Sequence, residues 1–169
     1  GSLLRGKIIY GIPNQQGDIL TWVGRDPKFE TKHEKWLKLG QPEEGKPKKF
    51  QFVRGFHKSQ ELYGQNWHER MARKPGLKEA IHKYGLILVE GFNDMIALEQ
   101  HGLAAVGVLS NHVSEGQIEK LLPWVRRLNN PRVLMWFDCT VDGDNGAREG
   151  LWQLSQHCNV RTMWSTSSH

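Results

Sequence analysis

The stretch LILVEGFNDMIALEQHG, Leu86 to Gly102, limits the possible folds more than any other part of the chain. Four apolar residues lead to one carboxylate, Glu90, and Gly91 then lets the chain turn into a segment where Met95, Ile96 and Leu98 share a helical face. A short continuous apolar run bounded by such a turn reads as a strand buried on both faces. An acid placed where that strand ends is delivered to the sheet end at which open α/β sheets bind ligands. RVLMWFD, Arg132 to Asp138, repeats the pattern, and DGDNG follows at Asp142 to Gly146. Acids released from neighbouring parallel strands meet at one sheet end and form an oxygen-donor set suited to a hard divalent cation.

The rest of the second half alternates in the same manner. Leu77 to Gly85 has the composition of a short helix ended by glycine, and Asn93 to His101 that of a second. Ala104 to Leu109 is a small apolar run for a crowded strand, and Ser114 with Gln117 forms a capping box that opens a helix reaching to Leu128. A strand over Arg132 to Phe137, a helix from Gly146 to His157 and a strand over Asn159 to Trp164 complete a β-α-β-α-β-α-β order. That alternation predicts an α/β fold, a mostly parallel sheet with right-handed crossovers and helices on both faces.

The first half differs in composition. Lys7 to Ile12 and Asp18 to Val23 flank PNQQG, which predicts two antiparallel strands and a turn. Lys28 to Lys49 is highly charged and interrupted by Gly40, Pro42, Gly45 and Pro47, so it reads as an exposed loop with one short helical turn over Lys32 to Leu39. The expected division is a small basic α+β extension over residues 1–84 and an α/β domain over residues 85–169.

Charge follows the same division. Residues 1–85 carry 17 Lys/Arg against 9 Asp/Glu and residues 86–169 carry 6 against 9, nets of +8 and −3 that make up the formal +5. An acidic, metal-ready half joined to a basic half suits a polyanionic substrate reacted at a cation. KPKKFQFVR, Lys46 to Arg54, interleaves cations with Phe50 and Phe52, and Lys58 and ELYGQNWHERMARK, Glu61 to Lys74, follow. Interleaving of this kind sets cations on phosphates and rings beside bases. The same string describes a period-two strand with its rings in a core.

Several classes are excluded. Cys139 and Cys158 are the only cysteines, too few for a disulfide framework, and no Cys/His cluster has structural-zinc spacing, which points to a reducing, cytoplasmic setting. No stretch is long and apolar enough to span a bilayer, so no membrane partner is expected. DGDNG starts like a calcium loop, but Gly146 stands at the fifth position, where an oxygen ligand is wanted. Neither GxGxxG nor GxxxxGK[ST] follows any strand.

Glu90, Asp142 and Asp144 are the first candidates for metal contact, and Asp138 and Asp94 the second. Mg²⁺ takes carboxylate and water oxygens and keeps several waters to share with substrate phosphates. Two aspartates separated by one glycine point into one loop concavity, Glu90 arrives from another strand, and Asp94 stands one turn into the following helix. The competing assignment makes Asp142 and Asp144 turn formers or an N-cap.

In this order the motifs resemble a known family. VEGFNDMIAL, Val89 to Leu98, looks like the first Toprim motif of bacterial DnaG-type primases, and DGDNGAREG, Asp142 to Gly150, resembles their second. Lys7 to Arg25 is similar to the two-stranded opening of that family's catalytic core. Pro47 to Phe50 and FHKSQELYG, Phe56 to Gly64, are similar to the basic stretch before the Toprim fold, so the likeness covers nearly the whole chain. It implies a Toprim, Rossmann-like sheet. It matches Glu90 to the family's glutamate, Asp94 to the acid one turn on, and Asp142 and Asp144 to the DxD pair. The activity implied is Mg²⁺- or Mn²⁺-dependent synthesis of short RNA primers on single-stranded DNA from nucleoside triphosphates. In that chemistry one ion polarises the attacking 3′ oxygen and the α-phosphate while another neutralises the leaving pyrophosphate. Arg25, Lys48 and Lys58 match cations that face template or nucleotide, and Lys49 and Arg54 lie in the same basic stretch.

In the family the DxD pair follows its strand directly, whereas Asp138-Cys139-Thr140-Val141 intervenes here. Either Asp138 takes the strand-end ligand position or the strand continues to Val141; the spacing of Asp142 and Asp144 to Gly146, Ala147 and Arg148 favours the pair. The family's zinc-binding module and further acidic segment have no counterpart. The chain therefore reads as a catalytic-core piece of a larger primase, or of a primase-like protein of a phage or mobile element, with any contact to a replicative helicase lying elsewhere. Activity of such a piece alone is not required, since initiation must orient two nucleotides and a template together. Two other functions use the same residues. A Toprim nuclease or topoisomerase-like enzyme would cleave a phosphodiester, although Tyr10, Tyr63 and Tyr84 lack an activating context for covalent cleavage. A non-catalytic single-stranded nucleic-acid-binding module would use the basic half and leave Glu90 dispensable.

Overall fold

The computed structural model describes residues 3–128, 131–137 and 141–164, with backbone alone at 141–144, 146 and 164. The chain forms two compact units, one of Gly1–Ile12 with Ile19–Phe56, the other of Pro13–Asp18 with His57–His169. Among the described residues no helix is long and apolar enough to cross a membrane.

In the smaller unit β1 (Ile8–Pro13), β2 (Ile19–Arg25) and β3 (Phe50–Phe52) form a three-stranded sheet in that order, with β3 antiparallel to β2. The first two strands flank a turn closed by Asn14, whose Oδ1 accepts the backbone N–H groups of Gln16 and Asp18, both at 2.9 Å. This is the self-bonding that favours asparagine in turns. Between β2 and β3 the charged stretch forms a helix, α1 (Phe29–Lys38), where a loop with one short turn was expected. Gly40, Pro42, Gly45 and Pro47 all lie beyond its end. Phe29, His33 and Trp36 stack along one face, with ring centroids 5.2 and 5.7 Å apart, although no residue of α1 is buried. Asp26 fastens the helix start by accepting the Lys28 N–H at 2.9 Å and Lys32 Nζ at 2.5 Å, and the bond from Lys32 holds its pKa below the ordinary carboxylate value.

The larger unit holds α2 (Trp67–Arg73), α3 (Gly76–Tyr84), β4 (Leu86–Val89), α4 (Phe92–Gln100), β5 (Ala105–Gly107), α5 (Glu115–Val125), β6 (Arg132–Phe137), α6 (Val141–Ser155) and β7 (Asn159–Trp164). The four strands β4 to β7 form one parallel sheet in the order β5-β4-β6-β7. All four residues of β4 are buried, as a central strand covered on both faces requires. Strand alternation sends Leu86, Leu88, Val133 and Met135 to the face packed by α3, α5 and α6, and sends Ile87, Val89 and Ala105 to the face packed by α4 through Met95. The α/β class with helices on both faces is thus the observed one. Full burial of a side chain such as Leu88 contributes about 2 kcal/mol.

Residues 57–84 belong to the same compact unit as this sheet. The cause is burial: Leu62, Trp67, Leu77 and Ile81 are built into the same core as β4 and β6. In the stretch Glu61 to Lys74, whose cations and rings were candidates for nucleic-acid contact, Trp67 and Arg70 are structural, while Arg73 and Lys74 are exposed. Arg70 is buried, with its guanidinium 4.3 Å above the Trp67 ring. It donates to the Gly64 carbonyl, to the Ala105 carbonyl at 2.9 Å and to Glu99 Oε2 at 3.0 Å. Burial pushes the guanidinium pKa down, and Glu99 opposes that shift.

Arg70→Leu leaves Glu99 and two carbonyls without this donor, and we expect it to cost about 3 kcal/mol, because removing one partner of a buried pair strands the other. Lys74→Ala removes an exposed partner of Glu99 at 3.4 Å and should cost no more than about 1 kcal/mol. Urea unfolding of both variants checks the contrast; equal midpoints would show that the buried guanidinium fastens nothing.

Candidate functional site

Strand order decides where chemistry can sit. From β4 the chain crosses by α4 on one face to β5, and from β6 it crosses by α6 on the other face to β7 at the opposite edge. The crossover helices that follow β4 and β6 therefore lie on opposite faces of the sheet, and such a switch in strand order is the place where open α/β sheets bind ligands. β4 and β6 are direct neighbours, with Val89 opposite Trp136. Glu90 follows Val89 at once, and Phe137 and Asp138 follow Trp136. The acids read from the sequence leave two adjacent strand ends.

Asp138 itself lies outside the described residues. α6 begins at Val141, earlier than the expected Gly146, so Asp142 and Asp144 stand in the first turn of a helix and not in a shared loop. Ala147, Leu151 and Leu154 seat this helix on the sheet. Acids in a first turn suit the partial positive charge of a helix N-terminus, so the helix extends through Gly143 and Gly146.

Glu90 is half-buried on a fixed backbone. Its carbonyl accepts the Leu109 N–H at 2.9 Å, beside the Val89 carbonyl, which accepts the Val108 N–H at 2.9 Å. Leu109 takes a φ of 61° there, the one positive φ of a non-glycine residue among those described. That conformation costs about 1 kcal/mol and persists only where the surroundings impose it. Close approach explains Gly107, where a Cβ would lie 3.1 Å from the Gly91 carbonyl, and a Cβ placed on Gly91 would lie 2.7 Å from Oδ2 of the mobile Asp94 side chain. The Asp94 carboxylate is exposed and folds back against the Glu90–Gly91 turn, so the two acids of the first motif share one corner.

The way Lys58 is held was not foreseen. The capping box expected from Ser114 and Gln117 is present: Ser114 Oγ accepts the Gln117 N–H at 3.3 Å and Gln117 Oε1 accepts the Ser114 N–H at 3.1 Å. Gln117 is fully buried, and its Nε2 also donates to the carbonyls of Lys58 at 3.0 Å, Glu61 at 2.9 Å and Val108 at 2.7 Å. Two amide hydrogens are shared among three acceptors. Val108 precedes Leu109, which holds Glu90, so Lys58 and Glu90 are tied to the same end of the sheet. Tyr63 adds an antiparallel bridge to Gly107, with N–H to carbonyl distances of 2.8 and 3.0 Å.

The remaining candidate cations, Arg25, Lys48, Lys49 and Arg54, lie in the smaller unit. Arg25 ends β2 and pairs with Glu30 at 3.6 Å, Lys49 sits 5.9 Å from the Phe29 ring centroid, and Lys48 and Arg54 are exposed with no ion pair among the described residues. No three His, Cys, Asp or Glu side chains among the described residues are grouped to hold a metal, and the carboxylates of Asp138, Asp142 and Asp144 are outside that set. What the structure does bring together is an all-oxygen corner of Glu90 and Asp94 on one strand exit, adjacent to the strand exit that precedes the other three acids.

No family model matches the chain. In sequence it is similar to curated DNA primases: 32% identical to that of Pseudomonas putida and 30% identical to that of Pseudomonas aeruginosa, each over 155 residues and 88% of this chain. The chain spans 18% of the length of these relatives. Among solved structures it is similar to the zinc-binding and RNA polymerase domains of the Aquifex aeolicus primase, with a TM-score of 0.66 and 19% identity, covering 100% of this chain and 36% of that one. The RNA polymerase domain of Mycobacterium tuberculosis primase DnaG in complex with double-stranded DNA matches with a TM-score of 0.59 and 16% identity, over 93% of this chain and 45% of that one. At these identities the solved structures bear on the fold.

Gln117→Leu removes the amide donor shared by three carbonyls and the acceptor of the Ser114 N–H, and we expect a loss of about 3 kcal/mol. Gln117→Glu, which turns the donor into an acceptor facing those carbonyls, should lose at least as much at neutral pH. Thermal and urea unfolding measure both; a Leu variant as stable as the parent would remove Gln117 from the account of how Lys58 is held.

Proposed function

We propose that this chain is the metal-binding, nucleotidyl-transfer core of a DNA primase-type enzyme, a Toprim centre that takes Mg²⁺ or Mn²⁺ between Glu90 and the acids that follow β6. The observation that carries the reading is the pairing of β4 with β6 where strand order reverses, in a chain similar to DNA primases along 155 residues. Carboxylate oxygens from two neighbouring strand exits are the donors a hard cation takes. When bound, such an ion polarises the α-phosphate and offsets charge on the leaving pyrophosphate.

The chain's own residues have separate tasks. Glu90 presents a carboxylate from a backbone fixed by Leu109, and Asp142 and Asp144 present theirs from the start of α6, with Asp138 as the strand-end alternative. Asp94 adds negative charge at the Glu90 corner, and mutual repulsion among these acids favours the cation-bound state. Lys58, tied by Gln117 to the same sheet end, meets phosphate of an incoming nucleoside triphosphate or of the template. Arg25, Lys48, Lys49 and Arg54 attract single-stranded DNA by its phosphates, without regard to sequence. The chain corresponds to 18% of its curated relatives' length, so we assign synthesis of short RNA primers to the longer protein, and binding of ion and nucleic acid to this part.

Calorimetric titration with Mn²⁺ tests the metal assignment. Glu90→Gln, and separately Asp142→Asn with Asp144→Asn, should each weaken binding about tenfold or more, about 1.4 kcal/mol, with thermal unfolding unchanged. Asp138→Asn should have the smaller effect, and unchanged affinity in the first two variants would sink the assignment. Affinity for oligothymidylate should fall with salt at a log–log slope of about −0.7 per phosphate contacted, and Lys48→Ala with Lys49→Ala should flatten that slope. A salt-independent affinity would contradict the role of these cations.

A further inference from the structure

A pocket opens at the amino-terminal end of the parallel sheet, away from Glu90. Its volume is about 170 Å³, and it is lined by the buried Trp67, Ile81, Leu86 and Val125 and the partly buried Met71 and Trp124. Leu86 opens β4 and Glu90 follows its end, so the pocket and the acidic corner are separated by the length of the strand, about 13 Å.

The mouth carries charge of one sign. Lys78, His82 and Arg127 line it and are exposed, and no carboxylate among the described residues does so. Neither Lys78 nor Arg127 has an ion pair among the described residues. The Arg127 guanidinium lies 4.9 Å from the Trp124 ring centroid and is held at the rim by that stacking. His68 meets the same ring edge-on at 4.8 Å.

Size and charge together select the occupant. A cavity of about 150 Å³ is enough to hold benzene, so this one admits a single bulky apolar side chain. A nucleobase needs an open ring face to stack on. Here Trp124 already carries Arg127 and His68, and Trp67, the other ring of the lining, is buried and carries Arg70. We propose that an acidic peptide segment of a partner protein docks here, with one aromatic or branched apolar side chain in the pocket and its flanking carboxylates on Lys78 and Arg127. This site is separate from the proposed metal centre and does not depend on it.

The test is a fluorescence-anisotropy titration of the 169-residue chain into a labelled short peptide of aspartates around one phenylalanine. Saturable binding is expected. It should weaken about tenfold or more when the peptide's phenylalanine becomes alanine, and by as much when the protein carries Lys78→Glu with Arg127→Glu. These exposed positions leave the buried lining intact, which circular-dichroism melting verifies, and Lys78→Arg should retain binding. Glu90→Gln should bind the peptide like the parent, separating this result from the fate of the metal site. Absence of saturation, or equal affinity in the charge-reversed protein, would overturn the proposal. So would oligothymidylate binding or self-association that the same reversal abolishes, since the occupant would then be nucleic acid or a second copy of the chain.

Discussion

The pairing of β4 with β6 is the contact on which the rest of the larger unit depends. It makes β4 a central strand, and centrality forces the continuous apolar run Leu86 to Val89, because both faces must be covered. It also sets the reversal of strand order, since α4 leaves toward one edge and α6 toward the other. One packing decision therefore produces both the core and the switch in strand order. Glu90 follows one of these two strand ends and, in sequence, Asp138 the other, and the proposed cation site is argued from that adjacency.

Two buried polar side chains fasten the rest to this sheet. Arg70 ties α2 to the Gly64 turn, to β5 and to Glu99, while Gln117 ties the Lys58–Glu61 segment to the loop after β5. Apolar burial supplies bulk stability but is non-directional. Hydrogen bonds contribute only about 1 kcal/mol each when formed, yet are expensive to leave half made, so they select one arrangement among several of similar burial. This is how an exposed lysine far from Glu90 in sequence comes to the same end of the sheet.

Much of this architecture is written in local patterns. Period and apolar runs place β4, β6 and β7, and the Ser114–Gln117 capping box marks the start of α5, because strand burial and helix caps depend on near neighbours. The motif order that resembles DnaG-type primases agrees with similarity to DNA primases over 155 residues. Other features depend on contacts that spacing does not encode. α1 is hidden among charges because its rings stack on one another instead of entering a core. The packing of residues 57–84 with the sheet escapes composition, since Trp67 and Arg70 look like surface residues until the helix that bears them packs on the sheet. Gln117 reads as a cap and no more, because its partner Lys58 lies 59 residues away. The early start of α6 at Val141 is hidden from a reader of Gly143 and Gly146, because acids in a first turn offset what glycine costs a helix.

The central claim is that a divalent cation sits where the β4 and β6 exits part. Anomalous diffraction from crystals soaked in Mn²⁺ tests it most directly. The account predicts an anomalous peak within coordination distance of Glu90 and of the Asp142–Asp144 turn; a peak bridging Glu90 and Asp138 would keep the centre but assign the strand-end register. No peak beside Glu90 at saturating Mn²⁺ would contradict the claim and leave the proposed nucleic-acid binding without a metal centre.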